Sequence, residues 1–327
     1  MGKGLKAALK SQQSRLKAKE KAQRAAYTAE LKNRKPPTDQ PLNLKSKTKG
    51  KDKTPSKVLP NRRPTIPFRN TDKILLVGEG NFSFAHALVA HPPPVSGFED
   101  LPPGNVTATA YDGEEECYEK YPDAKEIVRV LRERGVEVLF GIDATKLEKI
   151  LGLKGRKWDR VVWNFPHVGK GITDQDQNIL SNQVLILDFL RSAAKMLKTG
   201  STPIVMEPRK KKTAEDEDEE GEPPDTEGLP SPAQDTADAF RGTILITLRN
   251  VPPYTLWDVP RLAKKPPRPT SGSKPHNPSY IQLRSFVFHR DIWTGYEHRM
   301  TKGDRAHGTG KTGEGGEDRT WEFCLRD

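Results

Sequence analysis

Residues 74–84 read ILLVGEGNFSF: four branched or aliphatic residues, two glycines separated by a single residue, then a helix-forming stretch through about Ala90. An apolar run this short suits a strand buried on both faces of a parallel sheet. A GxGxxS turn directly behind such a strand lets the backbone approach a ligand, and the following helix start offers unpaired amide donors. The unit constrains the chain to a βα arrangement with a ligand at the strand's carboxyl end. Gly78, Glu79, Gly80, Asn81, Phe82 and Ser83 are therefore the first candidate cofactor contacts.

The pattern continues as alternating strands and helices. Residues 106–111 form a second expected strand ending at Asp112, and a helix follows with Asp123 as N-cap and Gly135 as stop. A third strand, 136–140, ends near Asp143, and a fourth, 158–163, delivers Asn164, Phe165, Pro166 and His167 at its carboxyl end. The longest helix is expected over 175–197, with a fifth strand at 203–206. Two later strands, 243–248 and 280–289, are expected to form a terminal antiparallel pair. Such a pair separates methyltransferase sheets from dinucleotide-binding ones. The expected class is α/β: a Rossmann-like class I S-adenosylmethionine (SAM) methyltransferase sheet, mostly parallel, of about seven strands.

The strand ends carry the chemistry. Asp112 can accept two ribose hydroxyls and Asp143 is placed to meet an adenine edge. The ligand is a nicotinamide or a SAM nucleoside. Glu79 and Ser83 stand where a dinucleotide site prefers glycine, and SAM has no pyrophosphate to cradle. No Tyr-x-x-x-Lys pattern of an oxidoreductase accompanies the turn. Asn164-Phe165-Pro166-His167 resembles the (Asn/Asp)-Pro-Pro-(Tyr/Phe) signature of methyltransferases that modify a nitrogen on a planar group. Phe165 replaces the first Pro and His167 the usual aromatic; His167 can stack on the target or act as a base.

Charge divides the chain. The net charge over 327 residues is +11, but residues 1–70 hold 20 Lys and Arg against 4 Asp and Glu, and the remainder is net negative. Residues 1–35 read as a basic helix and 36–70 as a linker too polar to offset its ordering entropy, together a largely disordered basic arm. Lys45, Lys47, Lys49, Arg62 and Arg63 are candidate phosphate or nuclear-address contacts. The domain is expected over 71–302, interrupted by an acidic disordered insertion at 209–235 and followed by a C-terminal tail, 303–327. Two cysteines, Cys117 and Cys324, exclude a disulfide framework and a CxxC zinc site. With no signal-peptide core and no run of about 18 apolar residues, a soluble intracellular monomer without metal or membrane contact is expected.

KILLVGEGNFSFAHAL, ATAYDG, GIDAT, VVWNFPHVGKG, QNILSNQVLILDFLRSA and GYEHRMT together resemble the eukaryotic 25S rRNA (uridine-N(3))-methyltransferase family, in order over about residues 72–301. The resemblance implies a SAM-dependent nucleolar enzyme that methylates a uridine in large-subunit rRNA or a pre-ribosomal particle. It implies SAM contacts at 78–83, Asp112 and Asp143, and a flipped base at 164–167. Relatives read GYxHRRT where this chain has Met300, leaving Tyr296, His298 and Arg299 as candidate RNA or active-site contacts. Methylation of another base nitrogen, and a non-catalytic rRNA-binding assembly factor, are the alternatives.

Overall fold

The computed structural model describes residues 7, 10, 11, 14, 15, 64–94, 98, 100–169, 171, 172, 174–203, 240–268, 275–300 and 316–326. The expected arm contacts at 45–63 and the acidic insertion at 209–235 lie outside the described residues. The chain divides into two units, Met1–Pro64 and Thr65–Asp327. In the first, six residues are described, all exposed: 7, 10, 11, 14 and 15 are helical and Pro64 is not. The boundary falls before 70 because Phe68 belongs to the core of the second unit, stacked on Phe98 with ring centroids 6.0 Å apart.

The second unit is built on strands β1 (Ile74–Leu76), β2 (Val106–Thr109), β3 (Glu137–Leu139), β4 (Arg160–Asn164), β5 (Thr243–Arg249), β6 (Tyr280–Val287) and β7 (Asp318–Leu325). They form one sheet in the order β3-β2-β1-β4-β5-β7-β6. The first five are parallel; β7 runs antiparallel between β5 and β6. This is the class I methyltransferase sheet that the alternation of elements predicts.

Three expectations are corrected. The fifth strand is 243–249, parallel to β4 with Thr243 opposite Arg160. At 203–206, residue 203 is not in a strand and the others lie outside the described residues. The antiparallel pair is accordingly β6 and β7, and β7 occupies residues expected in a C-terminal tail. The tail reading failed because three residues on β7's buried face, Asp318, Thr320 and Glu322, are polar. Each has a partner from elsewhere in the chain: Asp318 Oδ2 pairs with Arg290, in a 3-10 turn after β6, at 2.6 Å, Thr320 with Thr247 of β5 at 2.8 Å, and Glu322 with Arg284 of β6 at 2.6 Å.

Helices α1 (Ser83–Ala90), α2 (Glu114–Lys120), α3 (Ala124–Glu133), α4 (Gln175–Ala193) and α5 (Val259–Lys264) complete the unit. α1 and α3 belong to a core cluster with Phe68, Phe84, Phe98, Leu131 and Trp293. Burial of each such side chain contributes roughly 1.5–3 kcal/mol. Trp163 of β4 packs on Phe189 of α4 with centroids 4.3 Å apart. Asp174 caps α4 by accepting from the Gln177 amide at 2.7 Å. Among the described residues no helix is long and apolar enough to cross a membrane.

Candidate active site

β1 pairs with β2 on one side and β4 on the other, so the chain leaving it rises from the point where strand order reverses. The turn straddles both neighbours: Val77 N donates to Val162 O at 2.8 Å, and Glu79 N to Thr109 O at 2.8 Å. Gly78 has φ +67°, and a β-carbon there would lie 2.8 Å from Nε1 of Trp163. Only glycine meets both conditions.

The other turn side chains mostly shape the turn. Asn81 is buried, accepting from Ser83 N at 3.2 Å and donating to Asp123 at 2.7 Å. That contact redirects Asp123, which makes no side-chain cap to α3. Phe82 adopts φ +62° and buries its ring against Phe140, 5.2 Å away. The Ser83 hydroxyl donates to Glu297 O at 3.0 Å and accepts from Glu297 N at 3.1 Å. Glu79 accepts from Ala85 N at 3.2 Å at the start of α1. Burial pushes its carboxyl up to about 7, against the opposing pull of the helix amides.

Asp112 and Asp143 stand at the carboxyl ends of neighbouring strands, as expected, but both carry partners. Asp112 Oδ1 lies 2.8 Å from Lys120 Nζ. Asp143 caps a short 3-10 turn (Ala144–Lys149), accepting from Thr145 N at 2.9 Å and Thr145 Oγ1 at 2.7 Å, and pairs with Lys146 at 2.8 Å. Desolvation works against the Asp143 charge, but the Lys146 and Thr145 contacts outweigh it and hold the carboxyl below its ordinary range. Beside Asp112, Tyr111 exposes 71% of its surface. A large aromatic at a strand's carboxyl end is a signal visible in the sequence, and it was missed there.

At the end of β4, both side-chain polar atoms of Asn164 are buried and have no hydrogen-bond partner. Such a group costs roughly 1–3 kcal/mol and calls for an explanation. Asn164 lies in register with Thr247 of β5, and Thr247 with Thr320 of β7, giving a polar row across three strands. It borders a cavity of about 10 Å³ shared with Thr247, Thr320, Phe84, Phe288 and Trp293. That is room for about one water and far less than a nucleobase.

Phe165 has φ +52°, an uncommon conformation for a non-glycine residue. Its ring has His298 at 4.3 Å on centroids and the Arg290 guanidinium at 4.9 Å. Burial, then the charges of Arg290 and Arg249, push the His298 imidazole down to about 3. Pro166 is buried. His167 is exposed, its Nδ1 accepts from Gly169 N at 2.9 Å, and its ring lies 5.9 Å from Trp257.

The expected contacts in the segment 295–300 separate in the structure. Tyr296 is partly buried and packs against the core, 5.5 Å from Phe84 and 5.9 Å from Phe288 on ring centroids. Arg299 pairs with Asp123 at 3.1 Å and Glu297 at 2.8 Å, and Tyr121 donates to Met300 O at 2.8 Å. His298 reaches the Asn164–His167 turn through the Phe165 ring. The segment thereby spans the glycine turn and the end of β4. Thr247 and Thr320 carry no local signal in the sequence because only strand pairing brings them to Asn164, and Arg290, in a 3-10 turn (Arg290–Ile292), carries none because only the fold sets it over Phe165.

A family model described as BMT5-like, rRNA (uridine-N3-)-methyltransferase BTM5-like, matches residues 75–300. The chain is similar to the 25S rRNA (uridine(2634)-N(3))-methyltransferase of Saccharomyces cerevisiae, 28% identical over 265 residues that cover 75% of this chain and 70% of that protein. It is also 38% identical over 136 residues to the ferredoxin-fold anticodon-binding domain-containing protein 1 homolog of Mus musculus, covering 41% of this chain but only 20% of that protein. Among solved structures, a 16S rRNA (adenine(1408)-N(1))-methyltransferase from Catenulisporales acidiphilia aligns over 78% of this chain and 88% of that chain, with 13% identity and a TM-score of 0.34.

Proposed function

The chain belongs to the BMT5-like rRNA (uridine-N3-)-methyltransferase family, and on that premise we propose that it methylates ring nitrogen 3 of a uridine in large-subunit rRNA, with SAM as donor and Asn164 as the residue that reads the base. Asn164 carries this reading. Its amide offers one acceptor and two donors from a buried position with no internal partner. The imide edge of uracil presents a carbonyl oxygen beside N3–H, so the amide can donate to the first and accept from the second. The Phe165 ring supplies an apolar face for the base to stack on, and its neighbour His298 backs that ring.

N3 lies on the Watson–Crick edge, so the target must be unpaired or extruded from its helix. The water-sized cavity at Asn164 means that its lining, Phe84, Phe288 and Trp293 among it, must rearrange as a base enters. The backbone of Gly78–Gly80, Asp112 and the exposed ring of Tyr111 are the groups that fit a nucleoside cofactor. Asp143 fits it less well than the sequence suggests, since its carboxylate is spent on its own turn. SAM held there would supply an electrophilic methyl on a cationic sulfur; orientation of base and donor supplies most of the acceleration. The basic N-terminal residues suit an rRNA partner, and the nucleolus is the compartment in which that partner is assembled.

The test is incubation of the purified chain with methyl-labelled SAM and total rRNA, followed by digestion to nucleosides. Label is expected in 3-methyluridine, and Asn164→Ala is expected to lose it while SAM affinity stays within a few fold. Label confined to another nucleoside, or normal turnover by Asn164→Ala, overturns the proposal.

A further inference from the structure

Glu79 is the acidic residue of the glycine turn, set between Gly78 and Gly80. Its amide donates to Thr109 O at 2.8 Å, which fixes its backbone against β2. Its side chain reaches α1, where Oε2 accepts from Ala85 N at 3.2 Å and the Phe84 amide acts on the same carboxyl. The ordinary cap position does not serve that helix, since Phe82 makes no side-chain cap. Capping explains these hydrogen bonds but not the charge. A glutamine carbonyl accepts from helix amides too, and it carries no ion to desolvate.

The surroundings of Glu79 do not supply a counter-ion. Burial opposes its ionisation, and among the described residues no lysine, arginine or histidine offsets that effect. Tyr296, the titratable group that faces it from the 295–300 segment, is held neutral by burial; Arg290 and Asp318 act on Tyr296. Arg299, packed beside Gly80, pairs with Asp123 and Glu297. On α1, burial, His91 and Arg134 push His86 down toward its neutral form. At the end of β2, Lys120 pairs with Asp112.

A buried carboxyl with no cation beside it, in a turn built for a ligand, suits a ligand that brings its own positive charge. The ammonium and carboxylate of SAM cancel, so its net charge sits on sulfur. Phe84, whose amide acts on Glu79, also borders the cavity at Asn164 with its side chain, so one residue links the carboxyl to the base end of the site.

We propose that Glu79 selects the donor by charge: its carboxylate is the counter-ion of the SAM sulfonium, so the site prefers SAM to the uncharged-sulfur product S-adenosylhomocysteine, and SAM binding releases the Glu79 proton. In that step the carboxyl O–H bond breaks and solvent takes the proton, with no covalent bond to the ligand. Once the methyl has left, the sulfur is neutral and the carboxylate has lost its partner, which favours exchange of product for fresh donor.

This inference rests on the SAM reading, and the experiment separates the two. Affinities for SAM and S-adenosylhomocysteine are measured by calorimetry from about pH 5.5 to 8.5, with the whole chain and with Glu79→Gln. On the acid side the wild-type carboxyl is protonated and offers the sulfonium no charge; it ionises through about 7. Wild-type preference for SAM over the product is therefore expected to rise about five- to tenfold across the range. Near pH 6.5, SAM binding should release about half a proton, read from the heats in buffers of different ionisation enthalpy. Glu79→Gln should hold the low, acid-side preference at every pH and release no such proton. Titration of the ligands themselves occurs with both chains and cancels in the comparison. Because the two ligands share one shape, a loosened turn would weaken both equally. Equal loss of both ligands at every pH in Glu79→Gln would mark a structural cap and overturn the inference, as would a wild-type preference that does not change with pH. A wild-type chain that binds neither ligand at any pH overturns the SAM reading itself.

Discussion

Gly78 and Trp163 fix each other: a β-carbon on Gly78 would stand 2.8 Å from the indole Nε1, and the backbone there is left-handed at φ +67°. Gly78→Ala meets both penalties and is expected to destabilise the fold by about 1–3 kcal/mol and to weaken SAM binding. Denaturant midpoints and calorimetry check this. In a Trp163→Phe background the steric part should vanish and the conformational part remain, so the cost of Gly78→Ala should fall but stay above zero. An unchanged cost would mean that the indole does not limit the turn.

The parts of this molecule legible in its sequence are those whose signal is local. The ILLVGEGNFSF unit, the acids ending β2 and β3, and the Asn164–His167 turn each carry their pattern within about a dozen residues, and all lie where the sequence places them. Position was readable where use was not: Asn81 and Ser83 look like ligand contacts in the linear chain but serve Asp123 and Glu297. What was illegible depends on distant pairing. β7 hides because polar residues on its buried face find their partners in Arg290, Thr247 and Arg284, none of them near in sequence. Tyr296 reads as a candidate RNA or active-site contact, and only the fold shows its ring packed against Phe84 and Phe288.

Glu79 makes stability depend on pH in an unusual direction. Its carboxyl is raised from 4.5 to about 7 in the folded chain. Below the unfolded value it is protonated in both states and costs nothing. Between about 4.5 and about 7 the unfolded chain ionises first, so stability falls as pH rises through that window. Glu79 keeps some solvent access, so the loss is about 1–2 kcal/mol, less than the full shift implies. Glu79→Gln should match wild type below about pH 4 and exceed it at pH 8 by that amount in thermal or urea unfolding. A wild-type advantage at pH 8 would refute the burial account.

The N-terminal charge should act on RNA and not on the donor. Residues 1–64 hold 19 Lys and Arg against 4 Asp and Glu. Deletion should stop at Pro64, because Phe68 is part of the core and Pro67 O accepts from Arg160 at 3.1 Å. Every RNA phosphate that the deletion leaves without its cation lowers the slope of log affinity against log salt by roughly 0.7–0.9. The truncated chain should bind rRNA more weakly with a shallower slope and bind SAM unchanged. Identical slopes in filter binding with and without residues 1–64 would remove the arm from RNA recognition.

Ser83 ties the 295–300 segment to α1 through two hydrogen bonds made by one hydroxyl. Ser83→Ala leaves the Glu297 amide and carbonyl without that partner, at a cost of about 1–3 kcal/mol. The Arg299–Asp123 pair and the Tyr121 bond to Met300 O remain, so the segment should loosen and not detach. Amide exchange across 295–300 should quicken while β1 and β4 stay protected. Because His298 reaches the Phe165 ring only through this segment, the loss should appear in the methylation rate more than in SAM affinity. Adding Tyr121→Phe should deepen both effects. Faster exchange with an unaltered rate would separate His298 from the chemistry and leave the segment a purely structural clasp.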